Sequence, residues 1–203
     1  SDAQTLRNLS EIQPKEILKS TFKKAIDELT VTDKGTAEVK NYISLKLSKP
    51  KIAENQPFIV PKKSVFNKII GDNTFELEFA SFLESRFDDI VSYAKNTMGE
   101  GGINFKIEYQ AQDGNIREYY PDFFVKTNDK TFYIVETKGR EDLDDIRKIQ
   151  RLFVWCKDIN TAQKDYTYSP VYIKQEKWDD IKNDFKSFAE VVKIFTVTEN
   201  KES

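Results

Sequence analysis

Two hydrophobic runs, residues 117–126 and 131–138, stand on either side of the polar segment "TNDK". Both are rich in aromatic and β-branched residues, and both predict β-strands. So short a break, around Asn128–Asp129, makes them antiparallel neighbours. The pair commits the middle of the chain to a sheet. "INFKIEYQ", 103–110, alternates in the same way and meets the next strand through "QDGN", whose Asp113–Gly114 pair favours a hairpin turn. "PVYIK", 170–174, is expected to be a fourth strand and "VVKIFTV", 191–197, a last one.

Helices are expected around this sheet. The strongest pattern is 72–96, where Phe75, Phe79, Phe82, Leu83, Phe87 and Ile90 recur at three and four residues, with Asn73 or Thr74 as cap. A second helix is expected over 141–158, with Ile146, Ile149, Leu152 or Phe153, and Cys156 as its buried stripe. The acids of "EDLDD" stand at its start, where the macrodipole favours them. A short helix is expected from Trp178 to Phe188. The order of helix, three antiparallel strands, helix and strand is an α/β fold with helices on the sheet faces. Ahead of it lie an amphipathic helix at 14–29, a short strand "YISLKL" at 42–47, and a linker at 48–63 holding Pro50, Pro57 and Pro61. The expected division is a leading piece, 1–57, and a main domain, 58–203. The start at Ser1, without an initiator Met, reads as a piece of something longer.

Composition narrows the chemistry. The chain of 203 residues has no histidine, which excludes His general bases, His-ligated zinc and Ser-His triads. Cys156 is the single cysteine, so neither an internal disulfide nor a zinc ribbon is possible, and a cytoplasmic location is expected. No apolar run is long enough for a membrane helix. Carboxylates, lysines, tyrosines and hard metal ions are left to carry any reaction. The net charge of −2 runs against the basic footprint usual in nucleic-acid binders.

The two central strands carry acid where buried strands should not. Glu136 and Lys138 share a face, because side chains alternate along a strand. A three-residue turn, 128–130, pairs Thr127 with Thr131 and sets Asp122 opposite Glu136. A two-residue turn would pair Asp122 with Val135 instead. Two neighbouring carboxylates in a partly dry site do not both ionise unaided, and a divalent cation resolves the conflict. Mg²⁺ is held by one or two carboxylates and keeps waters and phosphate oxygens as its other ligands. Lys138 beside it would orient or help deprotonate an attacking water, or stabilise charge at phosphorus. Metal-assisted phosphodiester hydrolysis uses these parts.

"YPD…ETK" resembles the signature of the PD-(D/E)xK nucleases, the superfamily of restriction endonucleases and related resolvases. "VFNKIIGDNTFELEFASFLE", "YAKN", "YYPDFFVK", "YIVETKGRED" and "WCKDIN", in this order over about 58–175, resemble the C-terminal endonuclease region of type III restriction enzyme Res subunits. The resemblance implies that Asp122 and Glu136 bind Mg²⁺, with Mn²⁺ able to substitute. It implies that Lys138 positions the water and that the Thr137 backbone carbonyl joins the metal. It also implies a helix glutamate, for which Glu76 is chosen ahead of Glu78 and Glu84. Lys148 and Arg151, one turn apart on the second helix, are candidate phosphate contacts.

By this resemblance the chain is a metal-dependent endonuclease domain acting on duplex DNA. Its partners would be upstream helicase/ATPase domains of the same subunit and a modification (methyltransferase) subunit. No Gly-rich phosphate loop ending in Gly-Lys-Ser/Thr occurs here, so ATP would act only through domains outside this chain. The alternatives are a repair or transposon-associated nuclease of the same superfamily, or a non-catalytic interaction module of the same fold.

Overall fold

The computed structural model describes residues 16–23, 25, 37–45, 48–49, 51, 55–127 and 130–198. Its centre is a four-stranded mixed sheet built from β3 (Ile90–Lys95), β6 (Phe123–Thr127), β7 (Thr131–Lys138) and β8 (Thr167–Lys174), in that spatial order. β6 runs antiparallel to both β3 and β7, and β8 lies parallel to β7. A parallel return needs a crossover. That crossover is helix α2 (Asp145–Ala162). Helix α1 (Thr74–Ser85) precedes β3, and helices α3 (Gln175–Ile181) and α4 (Phe188–Phe195) follow β8. Two small antiparallel pairs complete the fold: β1 (Phe58–Ile59) with β2 (Ile69–Ile70), and β4 (Ile107–Gln110) with β5 (Ile116–Tyr119).

Alternation along the strands splits the core in two. Phe123, Val125 and Val135 point to one face and pack with α1, α3 and α4. There Phe79 meets Phe123 and Trp178 edge to face, with ring centroids 5.5 and 5.3 Å apart. Each such pair contributes about 0.5–1.5 kcal/mol beyond its buried area. Ile134 points to the other face and packs with Leu152 and Cys156 of α2 and with Ile107, Tyr109 and Tyr119 of the β4–β5 hairpin. Gly114, at φ 81°, supplies the left-handed residue of that hairpin turn.

Several expected elements are corrected. The helix expected over 72–96 stops at Ser85, and Ile90–Lys95 is strand β3. The apolar rhythm ran on because Phe87 and Ile90 enter the same core as α1 from a different backbone. The strand expected over 117–126 is broken at Pro121, which has no N–H to give a ladder. β5 and β6 therefore belong to different sheets, and the Pro121 carbonyl accepts from Asn96 Nδ2 at 2.8 Å. The last strand, expected at 191–197, is helix α4. Ser187 caps it by accepting from Glu190 N, Glu190 accepts from Lys186 N at 2.7 Å, and Asp89 accepts from Phe188 N and Ala189 N, both at 2.9 Å. This reciprocal capping, with Phe188, Val191 and Phe195 at helical spacing, outweighs the β-branched content.

The buried stripe of α2 includes Asp145, Leu152 and Cys156, while Ile146 is exposed. Residues 42–44 form no strand and Leu45 lies in a 3₁₀ turn; positions 46–47 lie outside the described residues. Of the leading helix expected at 14–29, residues 16–23 and 25 are helical, with Leu18 and Phe22 exposed, and the rest lies outside the described residues. Strand β1 falls within the stretch expected to be linker. Leu45 packs on the main core, and Lys49 N donates to Gly101 O at 2.6 Å, so the leading piece touches the main domain at these two residues. Among the described residues no helix is long and apolar enough to cross a membrane.

Candidate active site

The ends of four elements meet at one edge of the sheet. They are the start of α1, the end of β3, the residue before β6 and the end of β7. The cleft they enclose has a volume of about 550 Å³ and is lined by Glu76, Asp122, Glu136, Thr137 and Lys138, with Arg140 and Gln175 at its margin. Every residue expected to act on a cation or a water is present there.

The register contributes to the meeting. Phe123 pairs with Val135 and Lys126 with Phe132, the register that a three-residue turn requires, and Asp122, just ahead of that ladder, donates its N–H to Val135 O at 3.0 Å. The turn residues 128–129 themselves lie outside the described residues. Asp122 stands just before β6. Its Oδ2 accepts from the Thr137 amide at 2.8 Å and from Thr137 Oγ1 at 2.6 Å. In an extended strand the N–H and C=O of one residue leave on the same edge, so the Thr137 carbonyl is directed toward the Asp122 side.

Glu136 accepts from the Tyr119 hydroxyl through Oε2 at 2.9 Å, which leaves Oε1 to the cleft. Burial, and then the charge of Asp122, push the Glu136 carboxyl well above the usual range, although Tyr119 and Lys138 oppose the rise. Tyr119 is itself pushed well up by burial and by Glu136, so it stays a phenol and a donor. Lys138 lies 2.9 Å from Asp145 Oδ1 and 3.5 Å from Asp142 Oδ2. Burial acts to lower its pKa, but the hydrogen bond and charge of Asp145 outweigh that and raise it. Lys138 is therefore an ammonium, fitted to orient a water and offset negative charge.

Of the three helix glutamates only Glu76 enters the cleft. Glu78 is paired with Lys182 at 2.5 Å, and Glu84 binds the Lys62 and Lys63 amides. Glu76 is nonetheless engaged on both oxygens. Oε1 accepts from Asn73 Nδ2 at 2.7 Å, and Oε2 accepts from Asp72 N at 2.9 Å and meets Lys95 Nζ at 3.0 Å. Asn73 Oδ1 accepts in turn from Glu76 N at 3.0 Å, so Glu76 completes the cap of α1. Burial and Asp122 raise its pKa, and Lys95 acts against them.

Neither candidate phosphate contact lines the cleft. Lys148 lies 2.9 Å from Asp142 and 3.1 Å from Asp145, the carboxylates that Lys138 also meets, and Arg151 faces Asp158 at 3.9 Å. Arg140, in contrast, is exposed at the cleft margin with no ion-pair partner among the described residues.

Sequence reasoning missed Lys95, Tyr119 and Asp145. Lys95 is 3% exposed and stands among three carboxylates, those of Asp72, Glu76 and Asp122. Its signal was a lysine closing the apolar run "IVSYAK", which a helix from 72 to 96 concealed. Asp145 stands at the start of α2 as expected of the acids there, and it is buried, 2.9 Å from Lys138 Nζ.

Among the described residues no three acidic, Cys or His side chains are gathered into a metal cage. Asp122, Glu136 and the Thr137 carbonyl, the three expected at a cation, present oxygen atoms only, the donor type that Mg²⁺ takes alongside water and phosphate. No family model matches the chain, and neither a curated protein nor a solved structure matches it.

Proposed function

We propose that this chain is a divalent-cation-dependent endonuclease domain of the PD-(D/E)xK kind, cutting duplex DNA as part of an ATP-dependent type III restriction enzyme. The observation that carries the reading is the meeting of Asp122, just before β6, with Glu136 and Lys138 of β7 in one cleft. The resemblance of "YPD…ETK" and its neighbouring segments supports the choice of DNA as substrate.

In this reading Asp122, Glu136 and the Thr137 carbonyl hold the cation. Bound Mg²⁺, or Mn²⁺ in its place, would act as a Lewis acid on a phosphoryl oxygen and lower the pKa of a water. The protein's own residues do the rest. Thr137 holds Asp122 by two hydrogen bonds, and Tyr119 holds Glu136, so both carboxylates keep their orientation. Asp145 keeps Lys138 charged and aimed at the strand end. Arg140 at the margin offers a planar, charged donor pair for a phosphate. Glu76 is assigned to hold Lys95 and the start of α1, because both of its oxygens are occupied. ATP hydrolysis, site recognition and much of the DNA affinity fall to helicase/ATPase domains and a modification subunit outside this chain.

The test is nicking of supercoiled plasmid at low salt, with the chain in excess over DNA. Nicks should appear with Mg²⁺ or Mn²⁺, disappear with chelator, and be lost in Glu136→Gln. Nicking that ignores chelator or survives Glu136→Gln would contradict the reading.

A further inference from the structure

Lys95 has no part in the set assigned to the cation, yet it is a buried charge set directly behind two residues of the cleft, Glu76 and Asp122. Its side chain is 4% exposed. The ammonium lies 3.0 Å from Glu76 Oε2, 3.2 Å from Asp72 Oδ2 and 3.6 Å from Asp122 Oδ1. The elements around it leave little freedom. β3 pairs Lys95 with Phe123, next to Asp122, and the cap of α1 fixes Glu76. The ammonium also stands 5.5 Å from the centroid of the Phe123 ring.

We propose that the Lys95 ammonium occupies the place between Asp122 and Glu76 that a second divalent cation would take, so that this cleft accepts one ion and not two. The inference rests on the proposed function and concerns the same site. Glu76 and Asp122 are two acids close enough to repel, and a shared positive charge must lie between them or one must take up a proton. A covalently tethered charge does this without any ion. Its nitrogen also fills the space, since an ammonium sits about 3 Å from carboxylate oxygens where Mg²⁺ requires about 2.0–2.1 Å. Asp122 is thereby divided, with Oδ1 on the Lys95 side and Oδ2 held by Thr137. Glu76 becomes a positioning residue that holds Lys95.

The experiment is a Mn²⁺ titration of the chain followed by electron paramagnetic resonance and calorimetry. The wild type should bind one ion. Lys95→Ala, which empties the space and leaves Glu76 and Asp122 facing each other, should bind two, with spin coupling between them. Glu76→Gln should still bind one, because Glu76 is no ligand while Lys95 is present. Two ions in the wild type, one ion in folded Lys95→Ala, or loss of the ion in Glu76→Gln would each overturn the inference and leave the proposed function standing. If Lys95→Ala does not fold, the wild-type and Glu76→Gln counts still decide. No Mn²⁺ bound by the wild type would overturn the proposed function and this inference together.

Discussion

At the residue scale, the cleft sets carboxylates against their own charge. Glu136 has a raised pKa in the fold, so the stability attached to its protonated form is complete below the unfolded value, about 4.3. That stability is lost as pH rises through the folded value. Glu136→Gln removes the ionisation. Without any cation it should be more stable than the wild type at pH 8, and the difference should close toward pH 4, as read by thermal melting in chelator. A wild type that gains on the variant as pH rises would contradict the burial described for Glu136. Lys138 makes its own prediction. As a fixed ammonium it offsets charge developing at phosphorus, so Lys138→Ala should slow cleavage about 10²–10³-fold, the usual loss for removing one such donor. Cation binding should remain, as followed by Mn²⁺ titration. Asp122, Glu136 and Lys138 were legible in the sequence because strand parity and one turn length place them. Lys95 and Asp145 were not, because each pairs with residues distant in sequence, and nothing local marks a charge as buried.

Elements were legible where one rhythm served one backbone. β7 begins and ends at 131 and 138 as expected, because its run is bounded by polar turn residues and by Gly139. The stretch 72–96 misled because the apolar residues of α1 and β3 fill a common core, so their spacing continues across the break at 86–89. The final helix misled in the opposite sense. "VVKIF" has the composition of a strand, and its capping is supplied partly from afar by Asp89. That long-range cap should be measurable. Asp89→Ala removes two acceptors from the first turn of α4, and it should cost about 1–2 kcal/mol, the range for loss of an N-cap, read from the urea midpoint. In α2, burial pushes the Cys156 thiol up to about 12. The contribution of the neutral thiol to stability is complete below about 8.5, the unfolded value, and is lost as pH rises through about 12. Cys156 should resist alkylation at pH 8 in the folded chain and react once urea unfolds it.

At the scale of the whole molecule, charge decides what the chain does alone. A net charge of −2 opposes approach to a polyanion, and Lys148 is already committed to Asp142 and Asp145. Few cations at the cleft are free, Arg140 being the clearest. Duplex DNA should therefore bind the isolated chain more weakly than about 10⁻⁶ M at physiological salt, the tight end of non-specific binding. Fluorescence anisotropy would measure this. Covalent attachment to DNA-binding motor domains should accelerate cutting by raising the local concentration of DNA. The mixed sheet with its α2 crossover was legible as an α/β arrangement from the order of elements. How the leading piece sits against Gly101 and the main core was not, since those contacts join segments with no shared pattern.

The central claim is that Asp122 and Glu136 together hold a divalent cation at the strand ends. Anomalous scattering from crystals of the chain grown with Mn²⁺ tests it most directly. The account predicts one strong peak between the Asp122 and Glu136 carboxylates, on the Thr137 carbonyl side and away from Lys95, absent from Glu136→Gln crystals grown in the same way. A peak elsewhere in the molecule, or an empty cleft at saturating Mn²⁺, would contradict it.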